Sequence, residues 1–323
     1  MPEHSLRLLA LDGGGVRGLS SLLILKQLML RINPIAPPRP CDCFDMIGGT
    51  STGGLIAIML AVGLTVDECI NAYTTLSERV FRQKKRALSM KGRTQGRFGS
   101  AELEREIKAM IKRQRLDENA LLSDVNLACK VFVCTTSCET GKTVRFRSYC
   151  SPRQCETTVK IWQAARATSA ATSFFDRVTI DSGESFVDGA TGANNPIWEV
   201  WNEAKDVWPS SNFDDQIQCV VSIGTGIRSL VPFQDSLLGV FKSLKAIATE
   251  TEPTAEQFVR VKSGLEKCGR YFRFDVLSGL ESIGLEESKR MNAIRAATRL
   301  YIESEAVFNQ MQACTNSMTG KSC

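Results

Sequence analysis

The sequence predicts an α/β domain with a mainly parallel sheet and helices on both faces. Three observations carry that reading. Short apolar, strand-like runs alternate with helical segments along the chain. Two early strands pass through glycine turns straight into helices, at 12–18 and at 48–54. Neither an internal repeat nor a clear linker divides the 323 residues, of which 43% are hydrophobic and 23% charged, the balance of a globular protein with a sizeable core.

Leu6 to Leu11 reads as the first strand and Asp12-Gly13-Gly14-Gly15-Val16-Arg17-Gly18 as a glycine turn. Leu19 to Ile32 is then a helix, ended by Asn33-Pro34 and the prolines at 37, 38 and 40. Phe44 to Ile47 reads as a short buried strand, and Leu55 to Leu60 as a buried helix after the second glycine turn. Thr65 caps the next helix, with Glu68 in capping-box position. Lys130 to Thr136 and Thr143 to Tyr149 read as neighbouring strands, and Ile161 to Ala171 as an alanine-rich helix suited to close packing on a sheet. Ser185 to Asp188 is a short strand entering a glycine turn at Gly189. Cys219 to Ile223 is a buried strand ending at Gly224-Thr225-Gly226, and Tyr271 to Val276 a late one. Glu286 to Met311 reads as one long terminal helix. The domain is taken as 1–312, with 313–323 as a loose C-terminal tail.

Ser51 lies within Gly48-Gly49-Thr50-Ser51-Thr52-Gly53-Gly54. Strand, sharp turn, helix is the setting in which G-x-S-x-G forms a nucleophile elbow. Gly49 and Gly53 let the two backbones approach closely and let the turn take strained angles. Ser51 then sits at a helix N-terminus, where free N–H groups favour developing negative charge. A Ser-His-Asp triad needs a histidine, and the single one here, His4, precedes the first strand in a terminal segment. A nucleophilic Ser51 therefore needs a carboxylate as its base. Asp188, at a strand end and followed by Gly189-Ala190, is the best placed acid. Gly13, Gly14 and Gly15 offer consecutive N–H donors for an oxyanion hole, with Arg17 to orient the turn or add positive charge. Taken singly, Ser51 reads as well as a helix N-cap, and Asp188 better as the first residue of an Asp-Gly turn.

Other chemistries fit less well. Gly13-x-Gly15-x-x-Gly18 after a strand also matches a dinucleotide fingerprint. Against it, residues 31–40 hold no acid for a ribose, and the fingerprint leaves Ser51 unexplained. Cys41-x-Cys43 and Cys150…Cys155 lack zinc-site spacing and nearby histidines, so no metal and no cofactor is expected. No apolar run approaches the roughly 18 residues of a membrane span, and the first one lacks the features of a signal peptide. The expectation is a cytoplasmic protein whose twelve cysteines are mostly reduced thiols, with Cys129, Cys134 and Cys219 acting as small hydrophobes. The net charge of +5 is too modest to indicate a nucleic-acid partner. Residues 79–115 are nevertheless basic, with Arg82, Lys84, Lys85, Arg86, Lys91, Arg93, Arg97, Lys112 and Arg113. They read first as a solvated helix–loop–helix face and second as a face that meets lipid headgroups.

Three motifs together resemble the patatin-like phospholipase family: Asp-Gly-Gly-Gly-Val-Arg-Gly at 12–18, Gly-Thr-Ser-Thr-Gly at 49–53 and Asp-Gly-Ala at 188–190. Their order agrees as well. The stretches at 160–171, 187–196 and 271–276 are similar to the fungal branch, and the resemblance covers roughly residues 6 to 300. It implies a three-layer α/β/α patatin-like fold and a lipid acyl hydrolase of phospholipase A or lysophospholipase type. By motif match Ser51 is the nucleophile, Asp188 the base, and Gly13, Gly14, Gly15 and Arg17 the oxyanion region. The implied substrate is a phospholipid or another acyl lipid, met by peripheral membrane contact. Family members are also joined to nucleotide-binding and repeat domains, and no P-loop pattern occurs here. A free enzyme and the catalytic part of a longer signalling protein both fit. So does a catalytically idle lipid-binding or signalling module on the same fold.

Overall fold

The structure, a computed structural model, describes residues 5–81, 98–125, 129–152, 158–172, 174–227 and 251–320. His4, Cys155 and the basic residues Arg82, Lys84, Lys85, Arg86, Lys91, Arg93 and Arg97 lie outside the described residues. Strands β1 (Leu6–Leu11), β2 (Met46–Thr50), β3 (Lys130–Ser137), β4 (Thr143–Arg147), β5 (Val178–Thr179), β6 (Ser185–Asp188), β7 (Ile217–Ile223) and β8 (Tyr271–Phe274) form one sheet. Its order is β5-β6-β3-β2-β1-β7-β8, with β4 also paired to β3. The run β3-β2-β1-β7-β8 is parallel, and the pairs that include β4, β5 or β6 are antiparallel.

The alternation of side chains along the central strands feeds two cores. Leu9 and Leu11 of β1, with Ile47, Val133 and Val221, pack under α1 (Gly18–Ile32), α2 (Thr52–Ala61), α3 (Val66–Val80), α4 (Ser100–Arg113) and α5 (Ile161–Thr168). Leu8 and Ala10, with Met46, Phe132 and Val220, pack under α6 (Ile197–Val207) and α7 (Glu252–Val261). The last helices, α8 (Met291–Glu303) and α9 (Glu305–Thr319), rejoin the first layer through Ile294, Met311 and Cys314. The result is the expected three-layer α/β/α arrangement. Sheet strands covered on both faces explain why β1 and β7 read as nearly unbroken apolar runs. Cys134 and Cys219 sit fully buried in β3 and β7, and Cys129 just before β3 is also buried. The capping box at Thr65 forms as read, with Thr65 Oγ1 accepting from Glu68 N–H. Among the described residues no helix is long and apolar enough to cross a membrane.

β3 decides where the strand ends converge. Its Cys134 pairs with Thr50 of β2 and with Arg145 of β4, so those two strands lie on opposite edges. Its Thr135 pairs with Val144 of β4 and with Asp188 of β6, so β6 shares the edge of β2. β2 and β6 therefore meet end to end along β3. Thr50 and Asp188 stand opposite consecutive residues.

Several boundaries differ from the sequence reading. The second strand is Met46–Thr50, not Phe44 to Ile47, and takes in Gly48 and Gly49 because both are enclosed by neighbouring strands and helices. The long terminal helix is two helices broken at Ser304, whose backbone is extended at φ −65°, ψ 141°. The segment from 313 on is not a loose tail as far as Thr319. Met311, Cys314, Thr315 and Met318 recur at helical spacing and are buried. Gln218 of β7 also donates to the carbonyls of Ser317 and Met318 at 2.8 and 3.1 Å. A left-handed Gly320 then ends the helix.

A Cβ on Gly49 would overlap the Gly53 carbonyl, and one on Gly53 would overlap the carbonyl of Leu11 in β1. The crossing of β2, β1 and α2 is thus closed to any side chain. Gly53→Ala is expected to cost about 1–3 kcal/mol, the usual range for overpacking, read as a lowered urea midpoint. Gly264→Ala, where an added Cβ meets nothing within 4 Å, is the control and should hold the midpoint or raise it.

Candidate active site

β2 runs out at Thr50 and the chain turns at once into α2, leaving Ser51 between them. Its φ of 54° is left-handed, uncommon for a residue with a side chain. Ser51 N–H donates to Thr168 Oγ1 at 2.9 Å, and Thr168 Oγ1 donates to the Cys134 carbonyl of β3 at 2.7 Å. The last turn of α5 therefore pins the strained residue to the sheet. Ser51 Oγ donates to Asp188 Oδ2 at 2.7 Å. Asp188 Oδ1 accepts the Ala190 N–H at 2.8 Å, which sets the plane of the carboxylate. The two residues singled out in the sequence, 137 positions apart, are thus in direct contact.

The glycine turn after β1 lies beside them. Gly13 does not serve as a free donor, because its N–H goes to the Asn194 carbonyl at 3.0 Å. Its own carbonyl accepts from Thr225 Oγ1 at 3.0 Å. Among the described residues the N–H groups of Gly14 and Gly15 have no partner, and both residues line the same pocket as Ser51 and Asp188. Gly15, at φ +57°, takes a conformation that suits glycine. Arg17 is buried and is not among the residues lining the pocket, with Nη1 donating to the Gly226 carbonyl at 3.2 Å. Of the two roles considered for it, this placement fits orienting the turn.

The pocket encloses about 90 Å³ and is largely apolar, walled by Leu55, Leu76, Val80, Phe81, Phe174 and Phe175. Phe81, Phe98, Phe174 and Phe175 form one aromatic cluster beside it, with ring centroids 5.0–6.1 Å apart. A hydroxyl on a carboxylate, unclaimed backbone donors and an apolar wall are the parts needed for acyl transfer on an apolar ester.

A sequence model of the family described as patatin-like phospholipase matches residues 9–201, from β1 through the first half of α6. The chain belongs to the patatin-like phospholipase family. Among its relatives, calcium-independent phospholipase A2-gamma of Mus musculus is 31% identical over 316 residues, covering 93% of this chain and 39% of that protein. Phospholipase A I of Arabidopsis thaliana is 31% identical over 286 residues, covering 70% of this chain and 21% of that protein. The cGAMP-activated phospholipase of Vibrio cholerae is 28% identical over 242 residues, covering 69% of this chain and 65% of that one. This patatin-like chain thus spans less than half the length of the first two relatives.

Four residues around the turn escaped the sequence reading: Thr52, Tyr73, Thr168 and Leu285. Thr52 Oγ1 and the Tyr73 hydroxyl both donate to the Gly15 carbonyl, and the Leu285 carbonyl accepts the Val16 N–H at 2.8 Å. Thr52 and Thr168 carried a signal, as parts of the motif at 49–53 and of the family-like stretch at 160–171, but no role. Under the turn lies a buried charge cluster whose members Asp12, Arg273 and Asp275 stand in the stretches at 12–18 and 271–276, with no sequence signal for their contact. Arg273 Nη2 donates to Asp12 Oδ2 at 2.7 Å and Asp275 Oδ2 at 2.8 Å, and contacts Glu252 Oε1 at 3.3 Å. Asp275 Oδ1 accepts the Gly226 N–H at 2.5 Å.

Burial raises the Asp12 carboxyl from its ordinary 3.8 to about 7, against the pull of Arg273. Burial raises Asp275 as well. Between pH 4 and 7 the folded protein then holds protons that the unfolded chain has released, so this cluster's contribution is full in acid and is lost as pH rises through about 7. Asp12→Asn removes that titration. The stability gap between wild type and Asp12→Asn, measured by urea unfolding at steps from pH 4.5 to 8, should shift towards the mutant as pH rises.

Proposed function

We propose that this chain is a lipid acyl hydrolase that cleaves fatty-acyl esters through a Ser51–Asp188 dyad and an acyl-enzyme. The observation that carries the proposal is the 2.7 Å hydrogen bond from Ser51 Oγ to Asp188 Oδ2 at an apolar pocket beside two unclaimed N–H groups. Family membership and relatives named as phospholipases support the substrate class.

In this mechanism the acyl chain of a phospholipid or lysophospholipid enters between α3 and the phenylalanine cluster. The enclosed 90 Å³, roughly three water volumes, takes the methylenes nearest the ester. Asp188 accepts the Ser51 proton as Oγ bonds to the carbonyl carbon. The oxyanion is received by the N–H groups of Gly14 and Gly15 and by the N-terminus of α2. The C–O bond to the alcohol then breaks, and Asp188 returns the proton to the leaving oxygen. Water, deprotonated by the same carboxylate, attacks the acyl-enzyme and frees the fatty acid and Ser51. The lipid reaches the pocket by peripheral contact of the protein with a membrane.

Two experiments test this reading. The first is a mutant cycle with initial rates on a short-chain aryl ester and on phospholipid vesicles. Ser51→Ala and Asp188→Asn should each lose at least about a thousandfold, and the double mutant should be little worse than either single, because both act in one step. Near-normal rates in a folded Asp188→Asn would reject the base. A wild type that binds vesicles without turnover would favour an idle lipid-binding module. In the second, His4→Ala and a strong chelator should each leave turnover within about twofold of the untreated wild type. A hundredfold loss in His4→Ala would restore a triad. Activity lost to chelator and restored by calcium would introduce a metal.

A further inference from the structure

We infer that Tyr73 is a positioning residue for the oxyanion turn, its hydroxyl fixing the Gly15 carbonyl from the helix face that lines the acyl pocket. This rests on the reading of Ser51 and the glycine turn proposed above. Glycines leave the backbone rotationally free, so a turn of three of them aims its N–H groups only if something outside holds them. Here the Gly15–Val16 peptide is held at both ends. Its carbonyl receives the Tyr73 hydroxyl and Thr52 Oγ1, the latter at 2.9 Å, as well as the Gly18 N–H. Its N–H donates to the Leu285 carbonyl at 2.8 Å. With that plane fixed, the N–H groups of Gly14 and Gly15 are left unclaimed.

Tyr73 is placed to couple this to the substrate. On α3, positions 73, 76, 77 and 80 share one face at helical spacing, and Leu76, Ser77 and Val80 line the pocket with it. An acyl chain and the Gly15 carbonyl therefore rest on the same helix surface. The phenol is buried, which pushes its pKa up to about 12, so it remains a neutral donor throughout the neutral range. It lies outside the motifs at 12–18, 49–53 and 188–190, and a tyrosine on an amphipathic helix reads as core.

Tyr73→Phe keeps the ring and removes only the hydroxyl. The measurements are kcat and KM on a medium-chain aryl ester, inhibition by an alkyl trifluoromethyl ketone, and inhibition by the fatty acid of the same chain length. The ketone adds to a serine and places an oxyanion in the hole; the fatty acid fills only the pocket. With Thr52 still on the carbonyl, kcat should fall about tenfold, the effect of one lost hydrogen bond, with KM within about twofold. Ketone affinity should fall by the same factor, and fatty-acid affinity should hold. Tyr73→Phe/Thr52→Val, which removes both hydroxyl donors, should lose about a hundredfold in kcat and in ketone affinity together. Full kcat and ketone affinity in Tyr73→Phe would overturn the inference. So would equal losses for ketone and fatty acid, which mark a packing role. Wild-type protein without turnover, or undiminished turnover in Ser51→Ala, would overturn the hydrolase reading and this inference with it.

Discussion

One edge of β3 receives two strands in succession, and the site is built from that junction. β2 pairs as far as Cys134, and β6 takes the edge from Thr135 onward. β2 must therefore leave the sheet abruptly, since the next position on the edge is occupied. It leaves through Ser51, whose left-handed φ is the local cost of the exit. The departure would strand the Ser51 N–H and the Cys134 carbonyl. Thr168 Oγ1 accepts from the first and donates to the second. The arriving strand ends at Asp188, so the same junction that strains the serine delivers a carboxylate to its hydroxyl. Neither residue needs a long or flexible connection to reach the other.

The other side of the site depends on buried charge. The ends of β1, β7 and β8 are gathered by Arg273, which joins Asp12 to Asp275, and Asp275 holds the Gly226 N–H. Arg17 and Thr225 add bonds between the turn at 13–17 and the turn at 224–226. Burying Asp12 and Asp275 around one guanidinium, with the half-buried Glu252 beside them, is expensive, and such clusters often stabilise less than apolar packing would. Its use here is geometric. Bonds from one guanidinium to the ends of neighbouring strands help fix the relative position of two glycine-rich turns that have few side chains with which to pack.

The parts of the fold and site that were legible in the sequence are those whose residue types have a local meaning. Glycines after a strand, a serine among glycines and an aspartate before Gly189 each make sense within a few residues. So Ser51, Asp188 and the turn could be named, and the two carboxylate–hydroxyl partners proved to be neighbours. The end of β2 differs from the reading because Gly48 and Gly49 argue against a strand by propensity, whereas the close approach of Phe132 and Val200 to the first and of Gly53 to the second demands them. The helices at 197–207 and 305–319 carried plain spacing, as with Ile197, Val200, Trp201 and Ala204, but offered no motif to draw attention. The break at Ser304 has no glycine or proline to announce it. The roles of Thr168, Tyr73 and Arg273 were not legible for another reason, although Thr168 and Arg273 stand in family-like stretches. Their roles are contacts across 117, 58 and 261 positions, made by residue types that serve equally well elsewhere. Gly13 shows the same limit from the other direction. It belongs to the motif, yet its N–H is spent on Asn194, a partner only the fold supplies.

In the proposed mechanism, a dyad without imidazole shifts weight from the base to the hole. A carboxylate has an ordinary pKa near 3.9 and takes a serine proton only as the tetrahedral species forms. The proton transfer therefore gains little by itself, and most of the barrier must be lowered where negative charge appears. Backbone donors do this best when they need not move as the charge develops. That requirement explains why the turn at 13–15 is so heavily tied. Gly13 is held through both its N–H and its carbonyl, and the Gly15–Val16 peptide through both of its ends. The intervening donors keep their orientation with no partner of their own among the described residues. In water such groups would be solvated and gain little from a new acceptor. Beside a wall of leucine, valine and phenylalanine, the proposed oxyanion would meet them with few competitors, and each hydrogen bond there would be worth more than its counterpart at the surface.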